Sequence, residues 1–227
     1  MMNKMPFNQH ESTKPISRTR QLLALTLAII SIGVDFLLIH DKSQYFHLYR
    51  IMFSVLAVFC LIWFACDGKY KLTGLIIRPN KGLRYWIKGT MIFVICDLVI
   101  IVLVFLISLK LDVKFSGMSP ISLLRAIPEF CICHAIEEEL LYRFVLCTSF
   151  LWLLGHRWAI IVSSIVFSIL HAVYGAGIFT IIISFLYGCI FAWAYIESGS
   201  ILTTIVWHSF ANLIAIGSSL VQWYLIN

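Results

Sequence analysis

The stretch Tyr85–Leu109 reads YWIKGTMIFVICDLVIIVLVFLISL, and apolar runs of this kind recur along the chain. Inside a bilayer the backbone must satisfy its own hydrogen bonds, so a run of about 20 mostly apolar residues reads as a spanning helix. Further runs cover Leu22–Ile39, Tyr49–Ala65, Ala126–Thr148, Trp158–Val173, Ile178–Ile196 and Ile201–Ile226. The expected fold class is all-α: a polytopic transmembrane helical bundle of about seven helices, or eight if a short helix forms around Ser119–Phe130. Composition agrees, with 61% hydrophobic and 12% charged residues, where a soluble domain has about half and a quarter. A net charge of +6 on such a chain points to loops facing the cytoplasm, not to nucleic acid.

The basic residues set the expected orientation. The N-terminal tail carries Lys4, Lys14, Arg18 and Arg20, the second loop Lys69, Lys71, Arg78, Lys81, Arg84 and Lys88, and the fourth loop Arg157. The opposite side carries only Lys42, Arg50, Lys110, Lys114 and Arg125. The N-terminus is therefore expected inside and the C-terminus outside. No A-x-A-like cleavage site follows the first apolar run, so that helix is expected to be retained. The seven cysteines are odd in number and show no CxxC, and they read as small buried hydrophobes. Ser119-Pro120 reads as an N-cap followed by a helix-starting proline, and Pro128 as a kink before the glutamates.

Ionisable groups at bilayer depth are costly and face a cavity or a partner. Deep in apolar runs lie Asp35, Asp97, His134, Glu137, Glu138, Glu139, Arg143, His171, His208 and Asn212, most of them in the second half of the chain. Asp35 and Asp97 read as structural contacts or cavity liners, and His134 as a supporting group or one facing headgroups. On an α-helix Glu139 and Arg143 are only about 40° apart, so they can form an internal ion pair. Glu138 points about 140° away from Arg143 and is left to face another partner. A single buried salt-bridge knot is the competing structural account. FSILH (Phe167–His171) and HSFAN (His208–Asn212) put histidines and an amide on two further helices. Imidazole and carboxylate can jointly orient and deprotonate a water. The same groups can instead hold a metal, and Asn212 can donate to an oxyanion.

EELLYR (Glu138–Arg143), FSILH and HSFAN, in this order and over roughly Ile121–Ser218, resemble the EExxxR, FxxxH and HxxxN motifs of the CPBP family of CAAX proteases and bacteriocin-processing, Abi-like enzymes. The segment YGCIFAWAYIESGSILTTIVWH also looks like the family's helix–turn–helix before the last histidine. Tyr142 and Phe144 depart from the family's commoner residues, and neither is read as touching the chemistry. The resemblance implies an intramembrane endopeptidase, with residues 1–117 as tail and three leading helices and 118–227 as the catalytic core. It implies catalytic roles for Glu138, His171, His208 and Asn212, with Glu139, Arg143 and Phe167 in support. Zinc held by His171, His208 and Glu138 is one implied mechanism, and a metal-free glutamate protease is the other. The implied substrate is a membrane-associated, prenylated or leader peptide in the lipid bilayer, most simply of a bacterial plasma membrane. A non-enzymatic scaffold or bacteriocin-immunity protein of the same family is the alternative. No HExxH, GxSG or GxGD motif supports another class of membrane protease. A proton-coupled carrier is disfavoured because no inverted repeat or broken helix pair is visible.

Overall fold

The computed structural model describes residues 82–110, 119–173 and 177–226, together with Leu22, Thr26, Ile29, Ile30, Gly33 and Val55. These residues are almost wholly helical. In chain order the helices are α1 (Gly82–Lys110), α2 (Pro120–Pro128), a π-helical segment π1 (Glu129–His134), α3 (Ala135–Glu138), a second π-helical segment π2 (Glu139–Cys147), α4 (Thr148–Leu154), α5 (His156–Val173), α6 (Ile178–Ser198) and α7 (Ile201–Ile226). They fall into two compact units. One holds Glu137–Thr204, and the other holds Lys81–Ile136 with Ile205–Asn227.

Among the described residues three helices are long and apolar enough to cross a membrane: Gly82–Ile107, Ile178–Ser198 and Ile201–Leu225. These correspond to three of the expected spans. The expected spans Leu22–Ile39 and Tyr49–Ala65 lie almost entirely outside the described residues. The expected span Trp158–Val173 is an apolar helix, but His156–Ala172 is shorter than a full crossing. The expected span Ala126–Thr148 does not form one regular apolar helix. It changes winding four times between Pro120 and Leu154, and Glu137, Glu138, Glu139 and Arg143 reduce its apolar character.

The start of that winding has a local cause. Ser119 caps α2, its hydroxyl accepting from the Ser122 N–H at 3.3 Å, with Pro120 at the first helical position. Pro128 closes α2. It has no N–H to donate and its ring crowds the carbonyl one turn back. The chain relieves this by widening to π1 immediately afterwards.

In the first unit α5 and α6 form the most closely packed pair. Small residues make the close approach possible. A Cβ placed on Gly188 would lie 3.0 Å from the Cβ of Ser164 and 3.1 Å from its Cα. The Ser164 hydroxyl is turned back onto its own helix, donating to the Ile160 carbonyl at 2.6 Å. Gly199 ends α6 in the left-handed region, at φ 63°, with its N–H on the Tyr195 carbonyl at 2.9 Å. A side chain at that φ would be strained, so glycine lets α7 begin two residues later.

In the second unit the indole of Trp207 donates to Thr90 Oγ1 at 3.0 Å and stacks on Phe93 with centroids 4.5 Å apart. The α1 face opposite these contacts exposes Ile92, Ile95, Val99, Val102, Leu103 and Leu106, as a lipid-facing helix should. Asp97 is buried on α1. The cysteine expectation needs a partial correction: Cys131 and Cys147 are buried and Cys189 half-buried, but Cys96 and Cys133 are exposed. In a bilayer an exposed apolar thiol meets acyl chains, so exposure to lipid costs it little.

Substituting Gly188→Ala is expected to lower stability by about 1–3 kcal/mol, because the Ser164 backbone cannot easily retreat. Gly217→Ala meets nothing within 4 Å and is expected to be neutral or mildly stabilising. Unfolding of both variants in mixed detergent micelles checks the difference.

Candidate active site

The acidic turn is assembled by the widened helix. Glu137 and Glu138 end α3, and Glu139 opens π2. All three are buried, Glu138 to 1% exposure. Four residues on from Glu139, Arg143 places its Nε 3.3 Å from Glu139 Oε2, with both side chains at 0% exposure. This contact is an ion pair and not a well-aligned hydrogen bond, and among the described residues Arg143 Nη1 and Nη2 also meet no hydrogen-bond partner.

Aromatic faces take the place of those bonds. The Arg143 guanidinium carbon lies 4.7 Å from the centroid of Phe167 and 5.5 Å from that of Phe191. Both distances are within cation–π range, and such contacts gain strength when desolvated. Tyr142 packs edge-on against the same Phe167, with centroids 5.0 Å apart. So Tyr142, which sequence reasoning set aside, does reach the supporting shell. Phe191 was missed altogether. The available signal was its place on the YGCIFAWAY face, one turn from Tyr195 and beside the small Gly188 and Ala192.

Phe167 also holds the first histidine. His171 Nδ1 lies 2.9 Å from the Phe167 carbonyl, and the two rings sit 4.6 Å apart. A carbonyl can only accept, so Nδ1 carries the proton. With the proton on Nδ1, the neutral tautomer is the one that offers the Nε2 lone pair to a hydrogen-bond donor. His171 is half-buried near the end of α5. Glu139, Arg143, Phe167 and His171 thus form one chain of contacts within the first unit, with Glu138 next to Glu139 in sequence.

His208 and Asn212 lie one turn apart on α7, in the second unit. His208 is buried. The Asn212 amide donates from Nδ2 to the Phe130 carbonyl at 2.8 Å. This ties α7 to π1 and leaves one amide hydrogen and Oδ1 for other contacts. His134 packs against Phe130, with centroids 5.4 Å apart. Among the described residues no three His, Cys, Asp or Glu side chains are gathered as a metal site.

Residues 120–214 match the family model described as type II CAAX prenyl endopeptidase Rce1-like. All three motifs lie within that match. No curated protein and no solved structure matches the chain.

Removing one partner of the buried pair strands the other. Arg143→Met or Glu139→Gln alone is expected to cost about 3–5 kcal/mol, and the double substitution less than the sum. Detergent unfolding of the single and double variants measures this.

Proposed function

We propose that the chain, whose residues 120–214 match the model of the type II CAAX prenyl endopeptidase Rce1-like family, is a member of that family and hydrolyses a peptide bond of a membrane-associated peptide, prenylated or leader-like. The observation that best supports this is Glu138. It is a carboxylate at 1% exposure, in an apolar chain, beside a Glu139–Arg143 pair that already serves the structural role. Buried carboxylates at that depth are expensive, and Glu138 is the one that opens EELLYR, the motif to which the resemblance gives the water-activating role.

In this reading Glu138 takes a proton from a water as the oxygen attacks the scissile carbonyl. His171 Nε2 accepts the water's other hydrogen and so orients it, its tautomer held by the Phe167 carbonyl. The family resemblance, not a measured distance, assigns the oxyanion to His208 and Asn212, and Asn212 keeps one amide hydrogen for that role. Glu138 then returns the proton to the leaving amine. Glu139, Arg143 and Phe167 keep the acidic turn from rotating. The Lys and Arg distribution supports a cytoplasmic N-terminus.

The test is cleavage of peptide panels by the purified protein in nanodiscs. Glu138→Gln is expected to reduce kcat by at least about 10²–10⁴-fold, the usual contribution of a general base, with KM little changed. Retained activity in that variant rejects the assignment. A strong chelator is expected to leave the wild type active; loss on chelation with recovery on zinc would replace the metal-free scheme by one in which Glu138, His171 and His208 hold zinc. No cleavage of any peptide, with a cellular phenotype preserved in Glu138→Gln, would favour the scaffold or immunity reading. Orientation is checked by labelling single cysteines placed in the N-terminal tail and after Ile226, which are expected to react from opposite faces.

A further inference from the structure

The two ends of Arg143 are gripped by neighbouring residues of one helix. At the head, the guanidinium sits between Phe167 and Phe191. At the backbone, the Arg143 carbonyl accepts the Thr148 N–H five residues on, the bond that defines the π winding, and also the Thr148 hydroxyl at 3.3 Å. Thr148 Oγ1 is in turn 2.8 Å from the hydroxyl of Tyr195. A threonine has a single hydroxyl hydrogen. Since that hydrogen goes to the carbonyl, Tyr195 must donate to Thr148. The result is a directed chain, from Tyr195 O–H to Thr148 O–H to the Arg143 carbonyl.

Phe191 and Tyr195 are one turn apart on α6, and both are essentially inaccessible, at 1% and 0% exposure. An aromatic pair at this spacing is ordinarily core packing. Three observations argue for more here. Among the described residues the guanidinium that Phe191 faces has two terminal nitrogens without hydrogen-bond partners, and the aromatic faces of Phe167 and Phe191 compensate it. The Tyr195 hydroxyl bonds Thr148, whose hydroxyl in turn reaches the Arg143 carbonyl, one of those whose backbone partner differs between α and π winding. Both contacts converge on the same residue, and that residue pairs with the glutamate next to Glu138.

We propose that Phe191 and Tyr195 are positioning residues for the Glu138 carboxylate, holding the π-wound acidic turn by the head and the carbonyl of Arg143. Phe191 fixes the guanidinium and hence Glu139. Tyr195, through Thr148, fixes the wide turn that sets the angular position of the glutamates. Loss of either lets the turn relax towards ordinary α winding and swings Glu138 off its water. This rests on the hydrolytic reading above.

The test uses full-length protein in nanodiscs and a reporter peptide that the wild type cleaves. Tyr195→Phe removes one hydroxyl and keeps the packing; Phe191→Leu keeps an apolar side chain and removes the π face. Each is expected to lower kcat about 10- to 100-fold, the scale of a small misplacement of a catalytic group, with KM nearly unchanged. Thr148→Ser keeps the relay and is expected to behave as wild type, whereas Thr148→Val is expected to behave like Tyr195→Phe. The double variant of Tyr195→Phe with Thr148→Val is expected to be no worse than either alone, because both break one chain. Ser164→Ala, which removes a buried hydroxyl without touching Arg143, controls for stability and is expected to leave kcat unchanged. Wild-type kcat in Tyr195→Phe, or an equal loss in Ser164→Ala, overturns the proposal. If the wild type cleaves no peptide, it is the hydrolytic reading that fails. The unfolding cycle of Tyr195→Phe and Thr148→Val then decides the grip itself: non-additive costs support it, and additive costs overturn it.

Discussion

The buried ion pair of Glu139 and Arg143 is the interaction on which the acidic turn depends. Moving one charge to bilayer depth costs about 2.5–3.5 kcal/mol on insertion scales. Two opposite charges at 3.3 Å recover part of that cost, but only if the remaining guanidinium donors find compensation. Here aromatic faces from α5 and α6 supply it. The packing of those helices is therefore tied to the charge state of the turn. The close α5–α6 contact at Ser164 and Gly188 brings the helix that carries Phe191 up against the helix that carries Phe167.

The π winding follows from a related constraint. An α-helix through Glu139–Cys147 would bond Arg143 to Cys147 through the backbone. The wider turn bonds it to Thr148, and that brings the Thr148 hydroxyl and then Tyr195 into the network. Pro128 begins the irregularity upstream by withholding a donor. Wide turns of this sort are seldom retained without a function, because their geometry costs more than regular winding. In this chain Glu137 and Glu138 sit between two of them and Glu139 opens the second.

His171 and Asn212 show how the backbone takes part. Each uses one of its polar atoms on a carbonyl, of Phe167 and Phe130 respectively. In the histidine this selects the tautomer. In the asparagine it leaves a single amide hydrogen for chemistry. Phe167 serves twice, as an aromatic face for Arg143 and through its carbonyl as the anchor of His171, which is a physical reason for an aromatic and a histidine at i,i+4.

The sequence by itself determined the all-α class, the expected apolar spans of α1, α6 and α7, the Ser119 cap, the pairing of Glu139 with Arg143 and the motifs that carry the family resemblance. These depend on periodicity, hydropathy and short spacing, which are local properties. The fate of Ala126–Thr148 was not legible, since hydropathy does not report π winding. The angular positions drawn from 3.6 residues per turn hold only where the helix is regular. Only the tertiary structure decided that Phe191 faces Arg143, that Tyr142 reaches Phe167 and that Tyr195 donates through Thr148. These contacts join residues up to 48 positions apart in the chain. No local pattern encodes them, because an aromatic on an apolar helix looks the same whether it meets lipid, another aromatic or a buried cation.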